Sequence, residues 1–399
     1  MMQVNRWKYV INGFITLLFI GCSYAWSVFV VPLEQTYGWV RAQTSLAFTL
    51  NIIFFTAGGM VAGILAKKMS FSNLMRLAAA MIGVGFFLTS VVTQPWQVYL
   101  TYSFLCGTGI GISYNCVVSA VPSWFPDRTG LSSGVLLMGY ALSTAIFGPM
   151  LSSLIDSYGI TTTFRILGAA CLIALCLTSF LVKLPSDPQR QMLPKGRKAQ
   201  KGNTLDITPV NMVKMPVFWV ELVLIVFQSG IGLTLVNHIA PLLTESFHAT
   251  AAVAALVISS NSVMNGVGRI LGGMLYDKKG LDPVILSIPG LMTVAVIMLL
   301  ISMYIGFLPL CVVGVGLMLL AFGANANMIP TLARALFGEK NFSINYPILN
   351  IGSIGAAFVP TLMGVLQTES GGYQLPLQVI LVLCVCSLAL SAALLRLRK

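Results

Sequence analysis

Long apolar runs recur along the whole of this 399-residue chain, and they limit its possible folds more than any other feature. Only 9% of the residues are charged, whereas soluble domains have about 25%. A helix of about 20 apolar residues crosses the hydrocarbon core of a bilayer, so we predict an all-α integral membrane protein with about twelve transmembrane helices. The predicted spans are 9–31, 44–66, 73–92, 96–120, 130–154, 162–183, 216–240, 249–276, 283–303, 307–332, 344–367 and 373–395.

One polar interval, 184–214, divides these spans into two groups of six. It is the longest such interval and contains four prolines and six basic residues. We therefore predict an N-terminal six-helix half at 1–183, a cytoplasmic linker loop at 184–214 and a C-terminal six-helix half at 215–399. The first apolar run is too long for the core of a signal peptide, so it is expected to be the first span.

The net charge of +12 follows from the membrane topology. With the N-terminus in the cytoplasm, twenty of the twenty-three Lys and Arg residues fall in cytoplasmic segments. Arg41 and Arg165 lie outside, and Arg269 lies within a span. This bias predicts a multi-pass protein of the cytoplasmic membrane with both termini in the cytoplasm. It also accounts for the positive charge without a nucleic-acid partner.

The eight cysteines all fall inside apolar runs and are expected to pack as small hydrophobic side chains rather than to form disulfides. Cys384 and Cys386 flank a single residue, which is not a zinc-binding spacing on a helix. No Ser-His-Asp set or paired carboxylate points to an enzyme. We therefore predict no metal, no cofactor and no enzymatic activity. The following glycines are expected to form small-residue faces for helix packing: Gly59, Gly63, Gly107, Gly109 and Gly111.

A weak internal repeat supports two related halves. Segment 63–73 reads GILAKKMSFSN and segment 273–283 reads GMLYDKKGLDP, and the two lie 210 residues apart. WFPDRTG at 124–130 and LFGEKNF at 336–342 lie about 212 residues apart. Duplicated six-span halves in parallel orientation are a transporter architecture, with substrate expected near the membrane midplane.

At these segments the chain resembles the major facilitator superfamily. GMLYDKKG is similar to the family's G-x-L-x-D-[RK]-x-G loop. The resemblance implies a gating role for Gly273, Asp277, Lys278 and Gly280. The first copy departs from the pattern, because Lys67 replaces the acid and Ser70 replaces the final glycine.

A narrower resemblance, to the oxalate/formate antiporter family with its bacterial monocarboxylate carriers, covers nearly the whole chain. SYAW at 23–26 and SWFPDRTGLSSG at 123–134 are its clearest segments. The resemblance implies that Tyr114 and Tyr140 line the substrate cavity. It also implies that Asn265 and Arg269, four residues apart, form the anion-binding pair.

Two departures from that family favour a monoanion over a dianion. The oxalate exchanger has a lysine in span 11, whereas 344–367 contains no Lys or Arg and Ser353 occupies the corresponding place. In span 10, Phe322 and Ala326 stand where the relative has tryptophan and tyrosine. Phe322, Asn325 and Ser353 are therefore expected to line the cavity.

Arg269 is the strongest signal that comes from the residues alone. An arginine in the middle of a membrane helix costs roughly 2.5–3.5 kcal/mol or more. It lies eight residues before Asp277, which is about 12 Å along a helix and too deep for easy snorkelling. Pairing with a buried acid or a carbonyl is the alternative, but the predicted interiors of spans 1–6 and 8–12 contain no Asp or Glu. We therefore expect Arg269 to bind a carboxylate through its planar fork.

Other polar side chains have both a functional and a structural interpretation. Asn265 is one turn from Arg269, where it can contact substrate, orient the guanidinium or bond to a neighbouring helix. Tyr24 is a candidate substrate contact because its hydroxyl needs a partner at mid-membrane, although tyrosines also form interfacial belts. Trp26 is expected in the cavity wall or in packing.

Two ionisable residues in span 7 are less informative. His238, at the outer end, is a possible proton-coupling group, although interfacial histidines without a mechanism are more frequent. Glu221 lies near the cytoplasmic end, where the helix dipole favours an acid, so no role is predicted for it.

Together these features predict a secondary transporter of small organic monoanions of the formate, acetate, lactate or pyruvate class, working as a monomer by antiport or proton symport in a bacterial inner membrane. One alternative is a facilitator-fold exporter of drugs or other small molecules, which would need an interior carboxylate to hold a cation. A second alternative is a non-transporting membrane sensor, which would need a soluble output domain.

Overall fold

The computed structural model describes residues 5–194 and 206–398, and within them the regular structure is entirely helical. We number the membrane-length helices α1 to α12. They are α1 Trp7–Tyr37, α2 Arg41–Leu65, α3 Phe71–Thr89, α4 Pro95–Trp124, α5 129–158, α6 160–179, α7 Pro216–Ser246, α8 Ala251–Lys279, α9 Leu281–Ile305, α10 Leu308–Phe337, α11 Phe342–Ser370 and α12 Gln374–Leu397. The all-α membrane fold predicted from the apolar runs is confirmed.

Ten helices among the described residues are long and apolar enough to cross a membrane. One of the ten is the 51-residue stretch Thr129–Ser179, which is broken at Gly159 and therefore provides both α5 and α6. Gly159 has φ 77° and ψ 166°, a conformation that is essentially restricted to glycine. With α8, a 29-residue helix that contains Arg269, the described residues provide twelve spanning segments.

Three helices depart from the expected spans. α1 continues to Tyr37, six residues past the predicted end, because its Pro32 lies inside the helix without ending it. The turn predicted between spans 8 and 9 is reduced to Gly280, since α8 runs to Lys279 and α9 starts at Leu281. α11 is interrupted after Leu349 and again after Ala356, where sequence periodicity predicts one continuous helix.

The helices form two compact units. The N-terminal unit contains the described residues up to 194 together with 339–348, the start of α11. The C-terminal unit contains 206–338 and 349–398. The sequence division at 184–214 stays a prediction, because it leaves residues 339–348 in the C-terminal half.

In the N-terminal unit, α2 and α4 approach each other closely through glycine. A Cβ atom added at Gly58 would overlap the backbone carbonyl of Thr108. One added at Gly111 would overlap the backbone carbonyl of Phe55. Glycine is therefore required at both positions to bring the two backbones into contact.

The C-terminal unit repeats this contact between α8 and α10. A Cβ at Gly268 would overlap the backbone carbonyl of Leu320, and one at Gly323 would overlap that of Asn265. Gly268 lies 210 residues after Gly58, and Gly323 lies 212 residues after Gly111. These are the offsets of the sequence repeat, so the two units use the same glycine contacts.

Replacing Gly323 with alanine should weaken the contact between α8 and α10. Adding a methyl group to a closely packed site costs about 1–3 kcal/mol. The midpoint of thermal unfolding, measured on purified protein, should therefore fall. Gly316→Ala on the same helix is the matched control, because a Cβ there has no neighbour within 4 Å. Equal midpoints for the two variants would contradict the packing described above.

Candidate functional site

The guanidinium of Arg269 is buried in the C-terminal unit. The residue is 8% exposed, and its Nε donates a hydrogen bond to Oδ1 of Asn265 at 3.1 Å. Asn265, one turn earlier on α8, is also 8% exposed. This bond fixes the plane of the guanidinium, so Asn265 orients the cation. Of the three roles considered for Asn265, namely contacting substrate, orienting the guanidinium and bonding to a neighbouring helix, the geometry favours orienting the guanidinium.

A second asparagine holds the backbone at Arg269. Nδ2 of Asn327 on α10 donates to the backbone carbonyl of Arg269 at 2.9 Å. In the N-terminal unit, Nδ2 of Asn115 donates to the backbone carbonyl of Gly59 at 2.5 Å. Asn115 precedes Asn327 by 212 residues and Gly59 precedes Arg269 by 210. Arg269 therefore occupies the structural position that Gly59 occupies in the other unit.

The role of Asn327 was not predicted from the sequence. The signal that locates it is the repeat offset, because Asn115 occupies the corresponding place. Asn325 lies two residues earlier and so points to a different side of α10. Its Nδ2 donates to Oγ of Ser229 on α7 at 3.2 Å.

The predicted tyrosines of the N-terminal unit lie together. The ring of Tyr114 makes edge contacts with the rings of Phe55 and Tyr140, with centroids 5.3 and 5.4 Å away. It also stacks parallel to Tyr346, at 6.4 Å between centroids. The structure therefore brings Tyr114 and Tyr140 together with the tyrosine that begins α11. The side chain of Tyr24 lies outside the described part of the chain.

Trp26 is held within the N-terminal unit by packing. It is 4% exposed, its Nε1 donates to the backbone carbonyl of Thr44 at 2.9 Å, and its ring stacks on Tyr102 at 4.1 Å. Both its polar atom and its ring face are thus occupied by protein. Packing is the better supported of its two predicted roles.

Phe322 and Ser353 are half-buried in the C-terminal unit. The ring of Phe322 packs against Gly232 of α7, where a Cβ would overlap it. Oγ of Ser353 donates to Oδ1 of Asn350 at 2.9 Å, next to the first interruption of α11. Their predicted place in a cavity wall stays a prediction.

The predicted gating residues lie at the junction of α8 and α9. Gly273 is inside α8, and Asp277 and Lys278 lie in its last turn. Gly280 has φ 83° and ψ −167°, a conformation essentially restricted to glycine. The final glycine of the motif is therefore required by the backbone. A gating function for this segment stays a prediction.

His238 lies near the end of α7. Its Nε2 is 3.1 Å from the backbone carbonyl of Pro360, and its ring makes an edge contact with Tyr373. This environment is compatible with a structural role. Proton coupling at His238 stays a prediction.

Glu221 is more deeply buried than its sequence position indicates. It is 2% exposed, and its Oε2 has no hydrogen-bond partner. It faces a small cavity inside the C-terminal unit whose other polar lining residues are Gln228, Asn325 and Ser391. A position near a helix end does not indicate this burial, which arises because α10 and α12 pack against α7 and, with α9, line the cavity that Glu221 faces.

The SWFPDRTG segment fastens helix ends of the N-terminal unit. Trp124 is fully buried, stacks on Tyr9 at 3.9 Å and donates from Nε1 to the carbonyl of Lys183 at 2.8 Å. Asp127 forms an ion pair with Arg6 at 2.5 Å. The segment thereby connects the start of α1 to the end of α4 and to the chain after α6.

The family model of the Major Facilitator Superfamily matches residues 13–345 and 222–399. The chain belongs to the major facilitator superfamily. It is therefore a multi-pass membrane transporter rather than an enzyme, as the sequence predicted.

Known facilitators differ in how much of the chain they match. The uncharacterized MFS-type transporter YhjX of Escherichia coli (strain K12) is 26% identical over 355 residues, covering 88% of this chain and 85% of YhjX. The oxalate:formate antiporter of Oxalobacter formigenes is 28% identical over 278 residues, covering 69% of this chain and 64% of the antiporter. A solved structure of the proton:xylose symporter XylE has a TM-score of 0.72 at 15% identity, covering 96% of this chain and 94% of that chain. The last likeness shows the fold alone.

The ion pair between Arg6 and Asp127 should stabilise this facilitator. Both side chains are about one-fifth exposed, so water screens the pair less than a surface pair. A double-mutant cycle with Arg6→Gln and Asp127→Asn should give a coupling energy of about 0.5–3 kcal/mol from thermal unfolding.

Arg128 provides the control for that cycle. Its side chain is 63% exposed and its Nε lies 3.9 Å from Asp127. The cycle with Arg128→Gln should give a coupling of about 0–1 kcal/mol. Equal coupling in the two cycles would show that burial does not strengthen the Arg6 pair.

Proposed function

We propose that this facilitator transports small organic monoanions of the formate, acetate, lactate or pyruvate class by alternating access, and that Arg269 binds their carboxylate. The planar guanidinium can donate two parallel hydrogen bonds to a carboxylate. Asn265 holds that group in one orientation through its bond to Nε. Because the site is built on helices rather than on a loop, little ordering is needed when the anion binds.

The repeat of the helix contacts carries this proposal. The close approach of α8 and α10 and the asparagine bond recur between α2 and α4, where Gly59 stands in the position of Arg269. Packing of this kind therefore needs no arginine. Burying this charge at mid-membrane costs roughly 2.5–3.5 kcal/mol, so it should serve a function other than packing. Anion binding is the function that suits the chemistry of a guanidinium.

Arg269 is the only buried Lys or Arg among the residues that the structure describes, and a single buried cation favours a monoanion. Ser353 stands where the resemblance places the second cation of the oxalate exchanger, and residues 344–367 contain no Lys or Arg. The similarity to the oxalate:formate antiporter supports a carboxylate substrate. One arginine balances one carboxylate, whereas a dianion would leave a charge unpaired at a high desolvation cost.

The same charge balance predicts how the carrier moves. The loaded site is nearly neutral, while the empty site is positive and partly desolvated. Unless another buried charge offsets the arginine, closing the protein over the empty site is costly, so reorientation should then be fast when loaded and slow when empty. The result is anion exchange, or transport in which another ion replaces the missing charge.

The distribution of basic residues supports one orientation of the carrier in the membrane. With both termini in the cytoplasm, almost all Lys and Arg residues lie on the inner side of the membrane. The similarity to YhjX of Escherichia coli supports a bacterial inner membrane. We propose that the carrier works as a monomer, because the proposed anion contact, Arg269, lies within a single chain.

An exporter of cationic drugs would place its substrate against a buried carboxylate, and Glu221 is such a group. The cavity beside Glu221, however, has a volume of only about 20 Å³. That is room for about one water molecule and not for a drug. The observation favours the carboxylate carrier.

Replacing Arg269 with glutamine should abolish exchange of the monoanion. Each hydrogen bond to a charged group contributes about 1.5–3 kcal/mol, so losing two should lower exchange about 100-fold or more at low substrate concentration. Arg269→Lys should be impaired as well, because lysine keeps the charge without the fork. The measurement is counterflow of labelled formate, acetate, lactate, pyruvate and oxalate in proteoliposomes.

Arg76→Gln is the matched control, since Arg76 is an exposed arginine of the N-terminal unit. It should exchange anions like the wild type. Undiminished exchange in Arg269→Gln would remove this arginine from the mechanism. Oxalate as the best substrate would contradict the preference for a monoanion.

Replacing Asn265 with leucine should weaken anion binding without removing the cation. The guanidinium loses the acceptor that fixes its plane, so affinity should fall by about 10-fold, which corresponds to about 1.4 kcal/mol. The readout is the rise in thermal unfolding midpoint that a saturating monocarboxylate produces in the wild type. A full rise in the variant would show that Asn265 does not orient Arg269.

A further inference from the structure

The cavity at Glu221 lies between helices of the C-terminal unit. Its lining comes from α7, α9, α10 and α12, and most of it is apolar. Oε2 of Glu221 has no hydrogen-bond partner there, and none of the described residues forms an ion pair with this carboxyl. A carboxylate left unpaired in such surroundings is costly, and binding a proton removes that cost.

Glu221 is the only ionisable residue that lines the cavity. The nearest charged groups on the surrounding helices lie just beyond its lining: Asp282 is three residues before Ile285, Arg334 is two after Leu332, and Arg398 is four after Leu394. Asp282 and Arg398 form an ion pair at 2.7 Å with each other. The other ionisable residues on α7, on the elements packed against it and on the helices that contribute to the cavity lie outside the cavity lining. They are Lys214, His238, Glu245, Arg269, Tyr276, Asp277, Lys278, Lys279, Tyr304, Cys311, Glu369, Tyr373, Cys384, Cys386 and Arg396.

Polar groups extend from Glu221 toward the middle of the unit. Gln228, two turns further along α7, faces the same cavity and is 6% exposed. Asn325 follows, bonded to Ser229. Ser391 on α12 is fully buried, and its Oγ has no hydrogen-bond partner. A water molecule in the cavity would thus meet several polar groups beside the carboxyl.

We propose that Glu221 is a proton-binding site that couples monoanion transport to the proton gradient, which rests on the proposed role of Arg269. The coupling follows from the charges that the C-terminal unit buries. Without ligands, Arg269 is positive and Glu221 negative, so their sum is zero. With a carboxylate on Arg269 and a proton from water on Glu221, the sum is again zero.

The half-loaded states carry a net charge. With the proton alone the sum is plus one, and with the anion alone it is minus one. Burying a net charge during reorientation is costly, so these states should move slowly. Only the empty and the fully loaded carrier then reorient quickly, so one proton crosses the membrane with each anion. The proton leaves to water on the other side as the carboxylate is regenerated.

A proton suits this site better than a sodium ion. Sodium needs several oxygen ligands around one point, whereas Glu221 and Gln228 lie seven residues apart, about 10 Å along the helix. A single carboxyl in a mostly apolar cavity can still take up a proton.

Glu221→Gln tests the coupling, because glutamine imitates the protonated, uncharged side chain. In this variant the loaded carrier is neutral and the empty one positive. It should therefore keep lactate–lactate exchange but lose net lactate uptake driven by an inward proton gradient. The initial rate of net uptake should fall about 100-fold, the factor that about 2.7 kcal/mol produces. Protein-free liposomes correct for lactic acid that crosses the bilayer unaided.

Glu245→Gln is the matched control, because Glu245 is an exposed carboxylate of the same helix. It should retain both exchange and proton-driven uptake. Proton-driven uptake at the wild-type rate in Glu221→Gln would overturn the proposal. Uptake that follows a sodium gradient at constant pH and is lost in Glu221→Gln would also overturn it, in favour of a sodium site.

Infrared difference spectroscopy tests the site without transport. Titrating the purified wild type with acid should produce the carbonyl band of a protonated carboxyl that is shielded from water, and the band should be absent in Glu221→Gln. Equal bands in both proteins would refute proton binding at Glu221. If no protein exchanges any monoanion but the band is lost in the variant, the proposed substrate and the coupling fail, while proton binding at Glu221 stands.

Discussion

The backbone contact between α8 and α10 is the interaction on which the C-terminal unit depends. Gly268 and Gly323 let the two helices approach until each glycine faces a carbonyl of the other helix. Water is absent from the membrane core, so helices associate there through close packing and hydrogen bonds. Asn265 and Arg269 are presented from this contact, with Asn327 bonded to the backbone between the helices. The position of the cation is therefore set by the most closely packed part of the unit.

The N-terminal unit has the same helix contact, but the side chains beside it differ. Phe55 and Gly59 stand in the positions of Asn265 and Arg269, and the ring of Phe55 packs edge-on against that of Tyr114. One unit thus has an asparagine and an arginine at these two positions, and the other has a phenylalanine and a glycine. Because the scaffold is shared, the difference between the units is a difference in side-chain function rather than in packing.

Much of the fold is encoded in features that the sequence displays directly. Apolar runs of membrane length give the helices, since a bilayer allows few other structures. Arg269 could be recognised because a charge in such a run is unusual, and its pairing with Asn265 because four residues make one turn. The glycine clusters of α2 and α4 were correctly expected to serve packing, as Gly111 shows.

What the sequence could not provide depends on contacts between distant segments. Glu221 has the sequence position of an ordinary acid near a helix end, and only the packing of α10 and α12 on α7 buries it. Trp26 resembled a cavity residue, because nothing local reveals that Thr44 and Tyr102 occupy its indole. The interruptions of α11 were also hidden, since its apolar pattern continues through them.

Gly280 has a mechanical consequence for the C-terminal unit. It is the only residue between α8 and α9, and its backbone is held in a conformation that few residues adopt. A connection of one residue cannot lengthen, so it limits how far the two helices can slide past each other. A displacement of α8 would be passed to α9 and, through the pair of Asp282 with Arg398, to α12. The helix that carries Arg269 is thereby connected to two of the helices that line the cavity at Glu221.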